Sequence, residues 1–277
     1  MIPTIIMVLM RSRKRQSLMS CLLMHACIGS DVRMAFAKMM AVGGTDMSNR
    51  NMSAVLFDLD ETLMDRRKAL DVFINRLIRD YGEAFGLKDR NRIFDIVREA
   101  DQGGYRAKRE VYLDLIRLLL WSGAPSEEQF AGYWRRVYPG CAQPATGMRE
   151  VLSFFRYQGI RIGLITNGQS EVQQAKIDIL GIREWFDSIV VSEEAGCKKP
   201  DASIFKLALE TLGVNPSDAW YVGDHPRNDV YGARQAGLFA VWKQGVHVWD
   251  DALSVRPDAV VTELTELAPL YLKLNKP

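Results

Sequence analysis

Seven residues in this sequence have the types and spacing to do chemistry, and they come in a definite order. Asp58 and Asp60 stand two apart just after the apolar run Ala54-Val55-Leu56-Phe57. Thr166 and Asn167 follow a second apolar run, Lys199 precedes Pro200, and Asp224 and Asp229 close the series after Tyr221-Val222-Gly223. Four carboxylates brought together cannot all ionise without a cation, because neighbouring like charges raise one another's pKa. Oxygen-only ligands suit Mg²⁺ better than zinc. With such an ion present and Lys199 and Thr166 facing it, the cluster would receive a dianionic phosphoryl group beside a carboxylate nucleophile. Taken singly, each piece has a plainer reading. Asp-x-Asp and Thr166-Asn167-Gly168 are ordinary turns, Lys199 is a solvated loop lysine before a helix opening near Pro200, and Asp224 is a capping residue. Order and placement give them weight together, since four unrelated turns would not each supply a group that phosphoryl chemistry needs.

The elements that must position these groups are legible in the apolar pattern. Short, nearly continuous apolar runs at 54–57, 161–165, 188–191, 219–222 and 239–242 predict strands buried on both faces. Helical stretches at 147–158, 170–180, 201–212 and 228–236 alternate with them, each followed by a glycine (Gly159, Gly181, Gly213, Gly237) suited to a left-handed cap. Such alternation predicts an α/β protein with a Rossmann-like, doubly wound parallel sheet, whose chemistry sits at the carboxyl ends of the strands. The hundred residues after the first strand are not loop-like. Apolar residues at helical spacing, such as Leu70, Phe73, Ile74, Leu77 and Ile78, predict helices over 66–81, 89–101, 108–121 and 126–138. The expected organisation is an α/β core over 54–64 and 145–277, interrupted by a helical cap over 65–144.

Composition narrows the partners. The 277 residues are 48% hydrophobic and 25% charged, with 36 basic against 34 acidic side chains, too balanced for a protein built to hold nucleic acid along its length. Four cysteines (Cys21, Cys27, Cys141, Cys197) without a CxxC pair, and three histidines (His25, His225, His247), speak against a zinc site and for a reducing cytoplasmic setting. Residues 1–53 differ from the rest: 10 of the 12 methionines lie there, and seven basic residues face two acidic ones. The apolar run at 3–10 is too short to span a bilayer and precedes its basic cluster, the reverse of a secretory signal. This segment reads as a disordered extension or an upstream start, with Met47 or Met52 as the real beginning; a targeting or surface-binding segment is the alternative.

With its helical insertion, the ordered set resembles the haloacid dehalogenase (HAD) superfamily of phosphohydrolases, in the subfamily with a C1-type cap, over about 54–274. No family position is missing. The resemblance implies Asp58 as nucleophile, Asp60 as general acid and base, and phosphate contacts from Thr166, Asn167 and Lys199. It also implies Mg²⁺ held by Asp58, the backbone carbonyl of Asp60, Asp224 and Asp229. Glu61 departs from the glycine of many relatives, but members resembling nucleotide and flavin-mononucleotide phosphatases also carry a larger residue there. A P-loop or dinucleotide enzyme would need a glycine-rich first turn, and neither GxxxxGKS/T nor GxGxxG follows Phe57. In a phospho-receiver domain the acidic pair comes first and the Thr and Lys come last, whereas here a second acidic pair ends the series. A binding-only relative would be expected to lack Asp58 or Asp60. Dehalogenases replace the second Asp, since a halide needs no proton and an alkoxide does. Asp60 therefore favours a phosphatase, with a sugar-phosphate mutase as the serious rival.

The expected substrate is a small phosphorylated metabolite, such as a nucleoside monophosphate, flavin mononucleotide, phosphoglycolate or a sugar phosphate. A closing cap leaves no room for a protein or nucleic acid. No membrane partner is expected, and the protein is expected to be a monomer or homodimer. Asp101-Gln102-Gly103-Gly104-Tyr105 with Arg106, Lys108 and Arg109 are candidate readers of the leaving group, against the plainer reading of a solvated helix junction. His225, beside Pro226 in a turn, reads as structural, and Cys197 as an incidental thiol.

Overall fold

A computed structural model describes residues 52–275 except Tyr105. Residues 1–51, and with them the expectations for the N-terminal segment, lie outside the described residues.

The strands are β1 (Ala54–Phe57), β2 (Arg161–Thr166), β3 (Ser188–Val191), β4 (Ala219–Gly223), β5 (Phe239–Lys243) and β6 (Ala259–Val261). They form one sheet in the order β3-β2-β1-β4-β5-β6, every neighbouring pair parallel. All four residues of β1 are buried, as a central strand covered on both faces requires. Its side chains alternate between two cores: Ala54 and Leu56 pack with Tyr221, Phe205 and Ala208, while Val55 and Phe57 pack with Val222, Phe155 and Ile177.

Between β1 and β2 the chain forms α1 (Arg66–Tyr81), α2 (Arg90–Asp101), α3 (Lys108–Leu118) and α4 (Glu127–Val137). Their starts are written in the sequence. Asp65 accepts from the Lys68 N–H at 2.9 Å, Asp89 caps α2, and Ser126 with Gln129 forms a capping box on α4. An aromatic cluster holds this module together, with the Phe73 ring 4.2 Å from Trp134 and 5.8 Å from Tyr138. Phe73 is wholly buried, so truncating it to Ala would cost about 3–5 kcal/mol. Beyond the insertion come α5 (Met148–Tyr157), α6 (Ser170–Leu180), the single turn α7 (Ser192–Ala195), α8 (Ala202–Leu212), α9 (Gly232–Gln235) and α10 (Leu267–Leu274). Gly181 and Gly213 end α6 and α8 in the left-handed conformation.

Three details depart from the sequence reading. β6 is an additional strand of three residues on the sheet edge, too short and too exposed to show as an apolar run. The helix expected over 108–121 stops at Leu118. The helix expected over 228–236 instead begins as a π-helical turn, Pro226–Tyr231, because Pro226 opens it and the His225 side chain accepts from the Arg227 and Asn228 N–H groups. No helix among the described residues is long and apolar enough to cross a membrane.

Candidate active site

The carboxyl ends of β1, β2 and β4 border a cavity of about 250 Å³. All seven residues singled out in the sequence line it, joined by Glu61, Arg66, Gly103, Gly104, Gln173 and Lys176. The parallel register explains the convergence. Ala54 lies opposite both Arg161 and Ala219, and the Asp58 N–H donates to the Val222 carbonyl at 2.9 Å, so the first acidic turn is bound to the end of β4.

Asp58, Asp224 and Asp229 each offer an oxygen within 4.8 Å of the others, and all three are buried. Lys199, only 3% exposed, donates from Nζ to Asp58 Oδ1 at 2.5 Å, to Asp229 Oδ1 at 2.7 Å and to Tyr221 Oη at 2.9 Å. The other oxygen of Asp229 accepts from the His225 N–H at 2.9 Å. A Cβ on Gly223 would stand 2.4 Å from Asp229 Cγ, so only glycine at the end of β4 admits this carboxylate. Asp224 is fixed by its backbone, whose carbonyl accepts from Trp242 Nε1 at 2.7 Å, while its carboxylate lies 3.3 Å from His247 Nε2. Burial pushes the Asp58 carboxyl up to about 7; Lys199 opposes that rise and Asp229 adds to it. Burial, then repulsion from Asp229 and Asp58, lifts Asp224 to about 9. A buried set of hard oxygen donors, in which Asp58 and Asp224 have raised pKa values, fits Mg²⁺, which would favour their ionised forms.

Asp60 lines the same cavity and has its own partners. Lys176 Nζ reaches its two oxygens at 2.8 and 2.9 Å, and Gln173 Nε2 donates to Oδ2 at 3.0 Å. Burial alone would raise the Asp60 carboxyl, but Lys176 and Arg66 hold it below the usual carboxylate range. Thr166 Oγ1 accepts from Gln173 Nε2 at 2.5 Å. The Asn167 side chain clasps the Lys199 backbone, accepting from its N–H at 2.9 Å and donating to its carbonyl at 3.0 Å. Asn167 thus fixes where the lysine begins. Glu61 adopts a left-handed backbone (φ 61°), a strained conformation for a residue with a side chain, and its carbonyl accepts from Lys243 Nζ at 2.9 Å.

On the helical side, Arg66 donates to Asp101 Oδ2 at 2.7 Å and to Tyr138 Oη at 2.9 Å. Lys108 takes the other Asp101 oxygen at 2.7 Å and lies 4.2 Å from the centre of the Trp134 ring. Of the candidate readers, Gly103 and Gly104 line the cavity. Arg106 pairs with Asp114 at 2.5 Å and Arg109 with Glu127 at 3.3 Å, both pairs within the helical module. Tyr105 lies outside the described residues. His225 caps the turn that Pro226 opens and also lines the cavity, and Cys197 is a half-buried free thiol.

Sequence reasoning missed Gln173, Lys176 and Arg66. A signal for the first two was present: positions 173, 176, 177 and 180 form one helix face at i, i+3, i+4, i+7, and two of its four residues are polar.

The arrangement offers a carboxylate beside a fixed ammonium, a second carboxylate, a hydroxyl and a metal-fitting acidic cluster around one small cavity. The haloacid dehalogenase-like hydrolase family matches residues 52–237. A glyceraldehyde 3-phosphate phosphatase of Pyrococcus furiosus is 30% identical over 244 residues, 82% of this chain and 95% of that protein. A phosphoserine phosphatase of Thermus thermophilus is 30% identical over 249 residues, 78% of this chain and 98% of that protein. Among solved structures, the HAD-hydrolase YfnB of Bacillus subtilis, bound to magnesium, shares the fold with a TM-score of 0.65 at 23% identity, covering 81% of this chain and 99% of that one.

Proposed function

The chain belongs to the haloacid dehalogenase-like hydrolases, and from that membership we propose that it is a Mg²⁺-dependent phosphatase that hydrolyses a small phosphomonoester through an aspartyl phosphate on Asp58. That it is a hydrolase of the phosphatase kind follows from the family and from relatives at 30% identity. The observation that carries the finer reading is the placement of Lys199, 2.5 Å from Asp58 and 2.7 Å from Asp229, in the wall of a cavity that Asp60 and Thr166 also line.

In this reading an Asp58 oxygen attacks phosphorus while Lys199 and the Thr166 hydroxyl hold the phosphoryl oxygens. Asp60, ionised in the free site by Lys176 and Arg66, takes up a proton as the dianionic substrate adds negative charge beside it and gives that proton to the departing alkoxide; it then takes one from the water that attacks the phosphoaspartate, so inorganic phosphate leaves and both carboxylates return to the state they had in the complex. Asp58, Asp224, Asp229 and the backbone carbonyl of Asp60 would hold Mg²⁺, which offsets the charge of carboxylates and substrate together. The cavity falls below the range of about 300–1,000 Å³ usual for larger ligands, which favours phosphoglycolate or a triose-sized sugar phosphate over a nucleotide or flavin mononucleotide. The reading includes a cytoplasmic setting, a soluble metabolite as partner and a monomer or homodimer.

The test is a panel of phosphomonoesters assayed for released phosphate, with Mg²⁺ and with EDTA. Compact substrates should be cleaved only with the metal. Full turnover in chelator, or strict zinc dependence, would defeat the metal assignment. Chloride release from 2-chloropropionate would replace phosphatase with dehalogenase, and label retained on a sugar bisphosphate without free phosphate would replace it with mutase.

A further inference from the structure

We infer that Lys176 and Gln173, one turn apart on α6, are positioning residues that hold the Asp60 carboxylate in register with the Thr166 hydroxyl. The inference rests on the reading of Asp60 as the acid and base.

The geometry is closed. Lys176 is 4% exposed and Gln173 2%, and both sit on the face of α6 that otherwise buries Ile177 and Leu180. The three protons of the ammonium meet three acceptors: Asp60 Oδ1 at 2.8 Å, Asp60 Oδ2 at 2.9 Å and Gln173 Oε1 at 2.7 Å. Because Lys176 can only donate, the oxygen of the Gln173 amide must face it. The amide nitrogen is thereby turned to Asp60 Oδ2 at 3.0 Å and Thr166 Oγ1 at 2.5 Å. One amide therefore spans the group assigned to proton transfer and the group assigned to the phosphoryl oxygens. Gly168 leaves room for it, since a Cβ there would stand 2.9 Å from Gln173 Cγ. The Asp60 side chain keeps 27% of its surface exposed, beside the cavity it lines.

A purely structural role accounts poorly for this network. Apolar side chains at two core-facing helix positions would stabilise the fold at least as well as a buried ion pair. What the pair adds is a fixed orientation for a carboxylate that must meet a leaving oxygen and then a water. A displacement of about 1 Å in such a group costs on the order of a hundredfold.

The experiment compares Lys176→Met, Lys176→Arg and Gln173→Leu with Asp60→Asn, using p-nitrophenyl phosphate and an alkyl phosphate such as glycerol 3-phosphate, with melting curves to confirm folding. Nitrophenolate leaves without a proton, so only the alkyl ester needs Asp60 in the first step. Because losing Lys176 also lets Asp60 hold a proton more readily, rates are compared on the pH plateau of each protein, where Lys176→Met should lose about ten- to a hundredfold in single-turnover rate on the alkyl ester and no more than about threefold on the aryl ester, with Lys176→Arg recovering part of the loss. Gln173→Leu should lose in the same direction and raise KM on both esters, because Thr166 is loosened. If Asp60→Asn is selective for the alkyl ester while Lys176→Met and Gln173→Leu match wild type, or lose equally on both esters, the positioning role is overturned. If Asp60→Asn itself loses equally on both, the acid–base reading of Asp60 falls and the inference with it.

Discussion

Replacing Lys199 by Met removes an ammonium and keeps its bulk, and the consequence follows from the two carboxylates it touches. At 2.5 Å from Asp58 and 2.7 Å from Asp229, the ammonium is the shared partner of both. Deleting one member of a buried pair costs about 3–5 kcal/mol. Protonation limits the loss: burial already holds Asp58 at about 7, and without the lysine it rises further. The sign is fixed by that rise. A carboxyl whose folded pKa stands above its ordinary 3.8 destabilises progressively as pH climbs from about 4 through the folded value, and the full penalty applies above it. Lys199 is itself shifted upward by its two carboxylates, so it stays charged throughout pH 5 to 9 and the pH dependence of its contribution comes from Asp58. The variant should therefore melt about 6–20 °C below wild type at pH 8 in EDTA, and the gap should narrow by about 1.4 kcal/mol, roughly 3–5 °C, at pH 5, because only the variant's Asp58 still holds its proton between about pH 7 and 8. Its kcat should fall by about 10²–10³ with Mg²⁺ restored. Calorimetric melts at the two pH values measure the first effect and steady-state phosphate release the second. A gap independent of pH, or no gap at pH 8, would refute the account of the cluster as a charge-frustrated site.

Three further outcomes are expected. With Asp58 raised to about 7 and Asp224 to about 9, stability in chelator should decline as pH climbs from 4 to 9, so the gain in Tm on adding Mg²⁺ should grow across that range; a flat gain would place the metal elsewhere. Asp58→Asn should reduce phosphate release to background yet raise Tm in EDTA, because one of three crowded charges is gone; turnover at the wild-type rate would move the nucleophile. Gly223→Ala should cost about 1–3 kcal/mol and weaken half-saturation by Mg²⁺, since the new methyl displaces the Asp229 carboxylate; unchanged metal dependence would mean that Asp229 is not a ligand.

Much of the architecture was legible because burial on both faces writes itself as an unbroken apolar run, as at Ala54–Phe57. β6 was not, because an edge strand of three residues buries only Val261. The groups at strand ends could be found because a parallel sheet fixes where to look. Lys176 and Arg66 escaped because a lysine or arginine within a helix ordinarily faces water, and their burial depends on Asp60 and Asp101, 116 and 35 residues away in the chain. Sequence spacing does not encode such pairs. Asn167 shows the same limit: nothing in its spacing indicates that its side chain clasps the backbone of Lys199, 32 residues on.

The strand order also governs how the protein is made. β1 is flanked by β2 and β4, both synthesised long after it, and Lys199 lies 141 residues beyond Asp58. At about 5–20 residues per second, the ribosome needs roughly 7–28 s to cover that interval. Until β2 emerges, about 100 residues after β1, the apolar β1 segment has no strand to pair with, while α1 to α4, continuous in the chain, can already pack on one another. An unpaired apolar strand of this kind is the exposed surface that makes partly made chains prone to aggregate. The acidic cluster is assembled only when β4 docks, so catalytic competence arrives late and all at once.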